Sequence, residues 1–220
     1  MKTKNKIPHL ILAGFFGATI ASQAATIILS GDFTSHGGDT TSIPSSTITA
    51  GDYVSSIDSD VTPNTSFLSA GTHHFNNAVL SQRNDQISPG GQYFSFDFTT
   101  WSPLVITEVS QDVTNVNGNG GTTNLAKNIG TGSFDIYQGA TEIGSWDITY
   151  GTFSTATFTT SGAPIVLDAN TTYEMRFVNF DGPENAYLAY SSFEVIGVPE
   201  PSSAALLGLG GLAFIFRRRK

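Results

Sequence analysis

The alternating segment Gln92–Thr100, QYFSFDFTT, constrains the fold more than any other part of the chain. Successive side chains of a β-strand point to opposite faces of a sheet. Phe94, Phe96 and Phe98 would therefore lie together on an apolar face, while the polar side chains between them lie on the other. Thr172–Phe177 repeats this pattern with Tyr, Met and Phe on the apolar face. Both segments predict strands of an antiparallel sheet that buries one of its faces.

Other short segments rich in Thr, Val, Ile, Phe and Tyr alternate with clusters of Gly, Asn, Asp and Pro, and we find no persuasive run at the helical period. Further strands are predicted at Thr26–Leu29, Tyr53–Ile57, Phe75–Leu80, Leu104–Ser110, Ser133–Gln138, Glu142–Tyr150, Thr152–Thr159, Ile165–Leu167 and Ala186–Val195. Roughly eleven strands in about 175 residues predict a single all-β domain over residues 25–197, a β-sandwich of jelly-roll type.

The charge of this predicted domain limits its partners. Of the chain's 18 acidic residues, all but Glu200 lie within residues 25–199, where the basic residues are Arg83, Lys127 and Arg176, so the net charge there is −14. Such a domain cannot neutralise a phosphate backbone, and nucleic acid is therefore excluded as a partner. The absence of cysteine excludes disulfides, a thiol nucleophile and a thiolate metal site.

The first residues have the layout of a secretory signal peptide. Met1–Lys6 carries three lysines, Leu10–Ile20 is apolar, and small residues precede a cleavage point after Ala24. Residues 1–24 are therefore predicted to direct the chain through the Sec translocon and to be removed by signal peptidase, with cleavage after Ala25 as a close alternative. An uncleaved membrane helix is the other alternative, but about eleven apolar residues are short for a hydrocarbon layer of ~30 Å.

The C-terminal tail combines three elements. Val198, Pro199, Glu200 and Pro201 are predicted to be extended, because the prolines prevent a helix from continuing backwards into the domain. Residues 204–216 carry no charge and would span about 20 Å as a helix, which predicts a short transmembrane helix. The basic residues that follow are predicted to stay in the cytoplasm as stop charges, and they are Arg217, Arg218, Arg219 and Lys220.

This order of elements resembles the PEP-CTERM sorting signal of Gram-negative bacteria that secrete exopolysaccharide, a tail that is also labelled an ice-binding-protein C-terminal domain. The resemblance covers residues 198–220. It implies recognition by exosortase, a membrane-embedded cysteine transpeptidase, and cleavage near the Pro-Glu-Pro with release or transfer to the cell surface. By this resemblance Val198, Pro199, Glu200 and Pro201 form the sorting motif and are not catalytic. An ordinary C-terminal membrane anchor is the alternative.

A second resemblance concerns the end of the domain. The segments VLDANTTYEMRFVNF and AYLAYSSFEVIGVPEP resemble the last strands of galactose-binding-like jelly rolls that precede PEP-CTERM tails. This resemblance favours a jelly roll over a seven-stranded immunoglobulin sandwich. It transfers no binding residues, because these folds place ligands on loops that vary.

Candidate binding residues are few. Trp101 and Trp146 are the predicted carbohydrate-binding residues, since an exposed indole stacks on a sugar ring, and core packing is the alternative for each. Asp58 and Asp60 place oxygen ligands at alternate positions and are the predicted ligands of a possible structural calcium ion. An EF-hand is excluded because Pro63 stands where its turn needs glycine. No other cofactor is predicted.

No catalytic residue is predicted, because the sequence lacks the motifs of serine hydrolases, zinc proteases and P-loop enzymes. The two adjacent histidines His73 and His74 would point to opposite faces of a strand and could not easily share one ion. The chain is therefore interpreted as an exported, non-catalytic surface or extracellular-matrix protein that is held transiently in the inner membrane and associates with extracellular polysaccharide. The alternatives are a carbohydrate-binding module and, less favoured, an extracellular glycoside hydrolase or lyase.

Overall fold

The computed structural model describes residues 24–33, 44–63, 80–83, 92–117, 127–128, 130–179 and 186–200. These residues form fifteen β-strands and one turn of 3-10 helix at Ser45–Thr47. In chain order the strands are β1 (Thr26–Asp32), β2 (Ile48–Ala50), β3 (Val54–Ile57), β4 (Thr62–Pro63), β5 (Leu80–Arg83), β6 (Gln92–Thr100), β7 (Leu104–Asn117), β8 (Lys127–Asn128), β9 (Thr131–Gln138), β10 (Thr141–Thr149), β11 (Thr152–Phe153), β12 (Thr155–Thr160), β13 (Ile165–Leu167), β14 (Thr171–Asn179) and β15 (Ala186–Pro199).

Two antiparallel sheets contain most of these strands. The first sheet has the order β12-β7-β15-β1-β2, with β13 also paired to β7 and β5 to β15. The second has the order β10-β9-β14-β6-β3, with β4 also paired to β6. The chain passes between the sheets from β6 to β7 and again from β13 to β14 and from β14 to β15. The predicted all-β sandwich of jelly-roll type is thereby confirmed.

The core lies between the two sheets, and aromatic rings are the largest of its fully buried side chains. Phe94, Phe96 and Phe98 of β6 are at most 1% exposed, as their alternation predicts. Phe193 of β15 reaches them from the opposite sheet, and its ring centroid lies 5.7 Å from that of Phe96. It lies 5.0 Å from Phe177 on β14. Each fully buried ring stabilises the fold by about 1.5–3 kcal/mol, so these contacts hold the sheets together.

Strand lengths differ from the sequence prediction where polar residues lie inside strands. The strand β7 continues to Asn117, seven residues beyond the predicted end at Ser110, and includes the buried Gln111. The amide of Gln111 donates to the hydroxyl of Tyr150 at 3.0 Å, and this hydroxyl lies 3.2 Å from that of Tyr190. Burial raises the pKa of Tyr150 to about 12. A polar side chain whose amide nitrogen is hydrogen-bonded, but whose side-chain oxygen has no partner among the described residues, therefore occupies a core position that a hydrophobic pattern cannot show.

Several predicted features lie outside the described residues, namely residues 1–23 of the signal peptide, residues 75–79 of one predicted strand, the histidine pair, Pro201 and the basic end. The predicted strand Thr152–Thr159 is in fact two strands, β11 and β12, which separate at Ser154. Ala24, the predicted cleavage residue, is exposed two residues before β1. Within the described residues no helix is long and apolar enough to cross a membrane, and the predicted segment 204–216 is not among them.

Candidate functional site

Trp101 lies in the turn between β6 and β7 and presents an aromatic ring to solvent. It is 54% exposed. Its ring packs against that of Tyr53, with centroids 5.5 Å apart and an interplanar angle of 30°. The amide of Trp101 also donates to the carbonyl of Tyr53 at 3.0 Å. These two residues form one aromatic platform, fixed through both backbone and rings, in which the indole is the more exposed member.

The backbone at Tyr53 has a φ of 72°, which is uncommon for a bulky residue. Two residues earlier Gly51 lies against β1, where its amide donates to the carbonyl of Ile28 at 2.9 Å. A Cβ atom at Gly51 would overlap the carbonyl of Ile27. The turn after β2 is therefore forced close to β1, and Tyr53 carries a local strain of a kind that concentrates at functional sites.

Exposed polar residues follow or adjoin the platform residues along the backbone. The hydroxyl of Thr100 donates to the carbonyl of Asp168 at 2.5 Å, so the turn at residues 168–170 adjoins the end of β6. Asp168 and Asn170 are exposed in this turn, and Asp52 is exposed immediately before the tyrosine of the platform. A ring face with carboxylate and amide groups beside it suits a ligand that has both apolar ring faces and hydroxyl groups.

Trp146 lies in the core, which is the alternative to a carbohydrate-binding role. It is 4% exposed and packs against Phe134, with ring centroids 5.7 Å apart. Its indole N–H donates to the carbonyl of Ala163 at 2.8 Å, and Gly162 lies so close that a Cβ there would overlap the ring. The prediction of a carbohydrate platform at Trp146 is therefore corrected, because neither ring face is available to a ligand.

Asp58 and Asp60 follow β3, and their carboxylates accept hydrogen bonds from other parts of the chain. The carboxylate of Asp58 accepts a hydrogen bond from Thr99 at 2.5 Å, and that of Asp60 accepts one from the amide of Ser45 at 2.9 Å. The two carboxylates thus bind different parts of the chain. In the part of the chain that the structure describes, no group of three or more His, Cys, Asp or Glu side chains could hold a metal ion.

A groove with a volume of about 510 Å³ crosses the outer face of the first sheet. In one row across the strands, Asp112 on β7 lies between Thr157 of β12 and Ser192 of β15, and both hydroxyls donate to its carboxylate, at 2.5 and 2.7 Å. Asp32 of β1 lies opposite Ser192, and Glu194 of β15 belongs to the next row. No two of these carboxylates are directly opposite each other, which limits their repulsion.

The outer face of the second sheet carries an arginine held by two tyrosines. The guanidinium carbon of Arg176 lies 3.7 Å from the ring centroid of Tyr137 and 4.5 Å from that of Tyr93. Arg176 also forms a 2.6 Å ion pair with Glu174. Burial alone would raise the pKa of Glu174, but hydrogen bonds and the charge of Arg176 lower it below the ordinary value. Beneath this cluster, burial raises the pKa of the Asp135 carboxyl.

The sorting motif begins inside the sandwich rather than after it. The strand β15 extends to Pro199, two residues beyond the predicted domain end at 197. Val198 lies opposite Val105 and Pro199 opposite Leu104 on β7. The amide of Glu200 then donates to the carbonyl of Pro103 at 3.3 Å. The first three residues of the motif therefore contact the sheet.

The sequence patterns predict neither the groove nor the strained turn at Tyr53, whereas they do contain a signal for the burial of Trp146. Trp146 and Ile148 are two residues apart on β10, so they share a face, and both are buried. The pattern of Tyr53–Ile57 predicts a strand that includes Tyr53, whereas β3 begins at Val54, and Gly51-Asp52 is a turn signal that indicates this later start. The groove depends on which strands become neighbours, and no local pattern contains that information.

Comparison with known proteins gives one family match. The family model for the PEP-CTERM protein-sorting motif matches residues 197–220. No curated protein matches the chain. Among solved structures, a carbohydrate-binding module CBM36 in complex with calcium and xylotriose is 13% identical with a TM-score of 0.30, covering 54% of this chain and 90% of that chain.

Two further solved structures are similar at the same level. The CBM36-1 domain of a multidomain xylanase from the hindgut metagenome of Trinervitermes trinervoides is 14% identical with a TM-score of 0.32, covering 78% of this chain and 96% of that chain. The K3 cleaved adhesin domain of Lys-gingipain from Porphyromonas gingivalis w83 is 11% identical with a TM-score of 0.34, covering 79% and 99%. The chain thus matches, over residues 197–220, a PEP-CTERM sorting motif, and such a motif implies export, processing by exosortase and delivery to the cell surface.

Proposed function

We propose that this exported protein is non-catalytic and that its sandwich binds extracellular polysaccharide through the aromatic platform of Trp101 and Tyr53. The observation that carries the proposal is the 54% exposure of Trp101 on a platform fixed by ring packing and a backbone hydrogen bond. A rigid exposed indole loses little conformational entropy when a sugar ring stacks on it. The exposed polar groups of Asp52, Asp168 and Asn170 supply hydrogen-bond partners for hydroxyl groups.

The strain at Tyr53 supports the same proposal. A positive φ at a bulky residue costs about 1–3 kcal/mol and persists only when surrounding contacts enforce it. At this strained position the tyrosine ring lies stacked against the indole of Trp101. The platform is therefore organised before a ligand arrives.

The arrangement of the groove carboxylates supports a binding role over hydrolysis. A glycoside hydrolase needs two carboxyl groups that face each other across the scissile bond, one of them protonated. In the groove each carboxylate oxygen of Asp112 accepts a hydrogen bond from a hydroxyl of the same sheet, Oδ1 from Thr157 and Oδ2 from Ser192. Its neighbours across the strands are hydroxyl residues and not a second carboxylate.

Co-sedimentation of the mature protein with exopolysaccharide from the producing cells tests the proposal. We expect the protein to sediment with the polymer and to be released by soluble fragments of the same polymer. A reducing-end assay on the same samples should show no new chain ends. Failure to sediment would refute the binding proposal, and new reducing ends would favour the hydrolase. Mass spectrometry of the recovered protein should show an N-terminus at Ala25 or Thr26 and the loss of residues 204–220.

A further inference from the structure

We propose that the folded sandwich shields the start of the sorting motif, so that exosortase acts on this chain only after the end of β15 separates from β7. The inference rests on the processing by exosortase that the sorting motif implies and does not depend on the proposed polysaccharide binding. It assigns to Pro103, Leu104 and Val105 a role as positioning residues for the sorting motif.

The contacts of the motif account for this shielding. Pro199, the first proline of the motif, is buried, and it lies opposite Leu104, which is fully buried. Val198 pairs with Val105, and the amide of Glu200 donates to a carbonyl of the sheet. An enzyme that binds this segment in an extended form needs the proline ring and the backbone groups that the sandwich already contacts.

The strand β7, with which the motif residues of β15 pair, lies inside the sheet. On the side of β7 away from β15, Leu104 and Val105 pair with Leu167 and Val166 of β13, so β7 is fixed independently of the motif. The ladder between β15 and β7 is interrupted by a register shift between Ile196 and Gly197. A shift of this kind disrupts the hydrogen bonding locally. The residues after it can therefore separate while the rest of β15 stays paired, as in local unfolding of a strand end.

A disulfide between paired residues near the end of β15 tests this inference. Because the chain contains no cysteine, no native thiol can compete with the introduced pair. Val105 and Val198 are directly opposite, and opposite residues in antiparallel strands have Cα atoms about 4.5–5.5 Å apart, which is within disulfide range. The full-length V105C/V198C precursor is prepared oxidised and reduced and is incubated with membranes that contain exosortase. Comparing two redox states of one variant cancels any effect of the substitutions themselves.

A matched disulfide on the same two strands provides the control. Ser110 and Glu194 are also directly opposite on β7 and β15, away from the motif. We expect the oxidised V105C/V198C precursor to be processed about ten-fold or more slowly than its reduced form, because its strand end cannot open. The S110C/E194C precursor should be processed equally in both states. Equal rates for oxidised and reduced V105C/V198C, or equal slowing by the two disulfides, would overturn the inference.

A second pair of variants leaves the motif unsubstituted, so the test survives if V105C/V198C is a poor substrate even when reduced. Leu104 and Leu167 are both fully buried and lie opposite each other, but only Leu104 also lies opposite Pro199. We expect L104A to be processed about two-fold or more faster than L167A at matched thermal stability. Equal rates would contradict the inference. If even the wild-type precursor is not processed, the proposed exosortase step fails as well, whereas polysaccharide binding is measured separately.

Discussion

Replacement of Trp101 by alanine should weaken polysaccharide binding by about fifteen-fold. A large aromatic side chain offers up to about 250 Å² of surface, and at 54% exposure about 130 Å² of Trp101 is accessible. A sugar ring on one face covers about half of this area. At about 25 cal/mol per Å² the contact contributes about 1.6 kcal/mol, and each 1.4 kcal/mol corresponds to a factor of ten in Kd.

Isothermal titration of the mature protein with exopolysaccharide fragments would measure this change. Val166 provides the control, because it is 52% exposed but aliphatic and cannot stack through a π face. We expect V166A to bind like the wild type and W101F to lie between the wild type and W101A. Far-ultraviolet circular dichroism should confirm that each variant keeps its strand content. Unchanged affinity of W101A, or equal weakening by V166A, would refute stacking on the platform.

Three further predictions concern the core, a buried carboxyl group and the charge of the ligand. A Cβ at Gly31 would overlap the buried ring of Phe193, so G31A should be destabilised by about 1–3 kcal/mol, and an unchanged melting temperature would contradict this packing. Burial raises the pKa of the Asp135 carboxyl in the folded protein, despite the hydrogen bond from Ser145. The Asp135 carboxyl therefore contributes to the free energy of unfolding at pH values below the ordinary pKa of 3.8, and this contribution is lost as the pH rises through the raised pKa of the folded state. D135N should therefore be more stable than the wild type at pH 7 and should lose this advantage below about pH 4, as measured by urea unfolding. A D135N variant that is less stable than the wild type at pH 7 would contradict this prediction. The groove is lined by carboxylates such as that of Asp112, and residues 25–199 carry a net charge of −14. Neutral or amine-bearing polysaccharides should therefore bind at low salt, and the anionic polymer alginate should not. Preferential binding of alginate in affinity electrophoresis would contradict this prediction.

Much of the fold could be predicted because strand signals are local. The alternation in Gln92–Thr100 and the apolar run Ile165–Leu167 gave strands whose bounds match the structure. The ends of β7 and β15 could not be predicted, because polar or proline residues there are accommodated by partners on other strands. Pro199 illustrates this: its missing N–H is a reason to end a strand, yet its ring is buried at the end of β15.

The candidate sites depended on pairings that the sequence does not contain. The groove brings together Asp32, Asp112 and Glu194, which are far apart in the chain, because β1 and β7 both pair with β15. Changing the register of one strand by a single residue would move its polar side chains to the core face, so the groove is a property of long-range register. Trp101 could be selected in advance because Ser102-Pro103 ends its strand, but its contact with Tyr53 spans 48 residues and required the structure.

The aromatic platform and the sorting motif lie at the same end of the sandwich. Glu200 donates to the carbonyl of Pro103, and Trp101 precedes Pro103 by two residues. Two residues of extended chain span at most about 7 Å, so the backbone of Trp101 lies within about 10 Å of the motif contact. If the predicted segment 204–216 holds the precursor at the membrane, a polymer that stacks on Trp101 would have to approach the end at which the chain leaves the sandwich. Cleavage before that segment should then improve binding of a long polymer more than binding of a short oligosaccharide that covers only the ring.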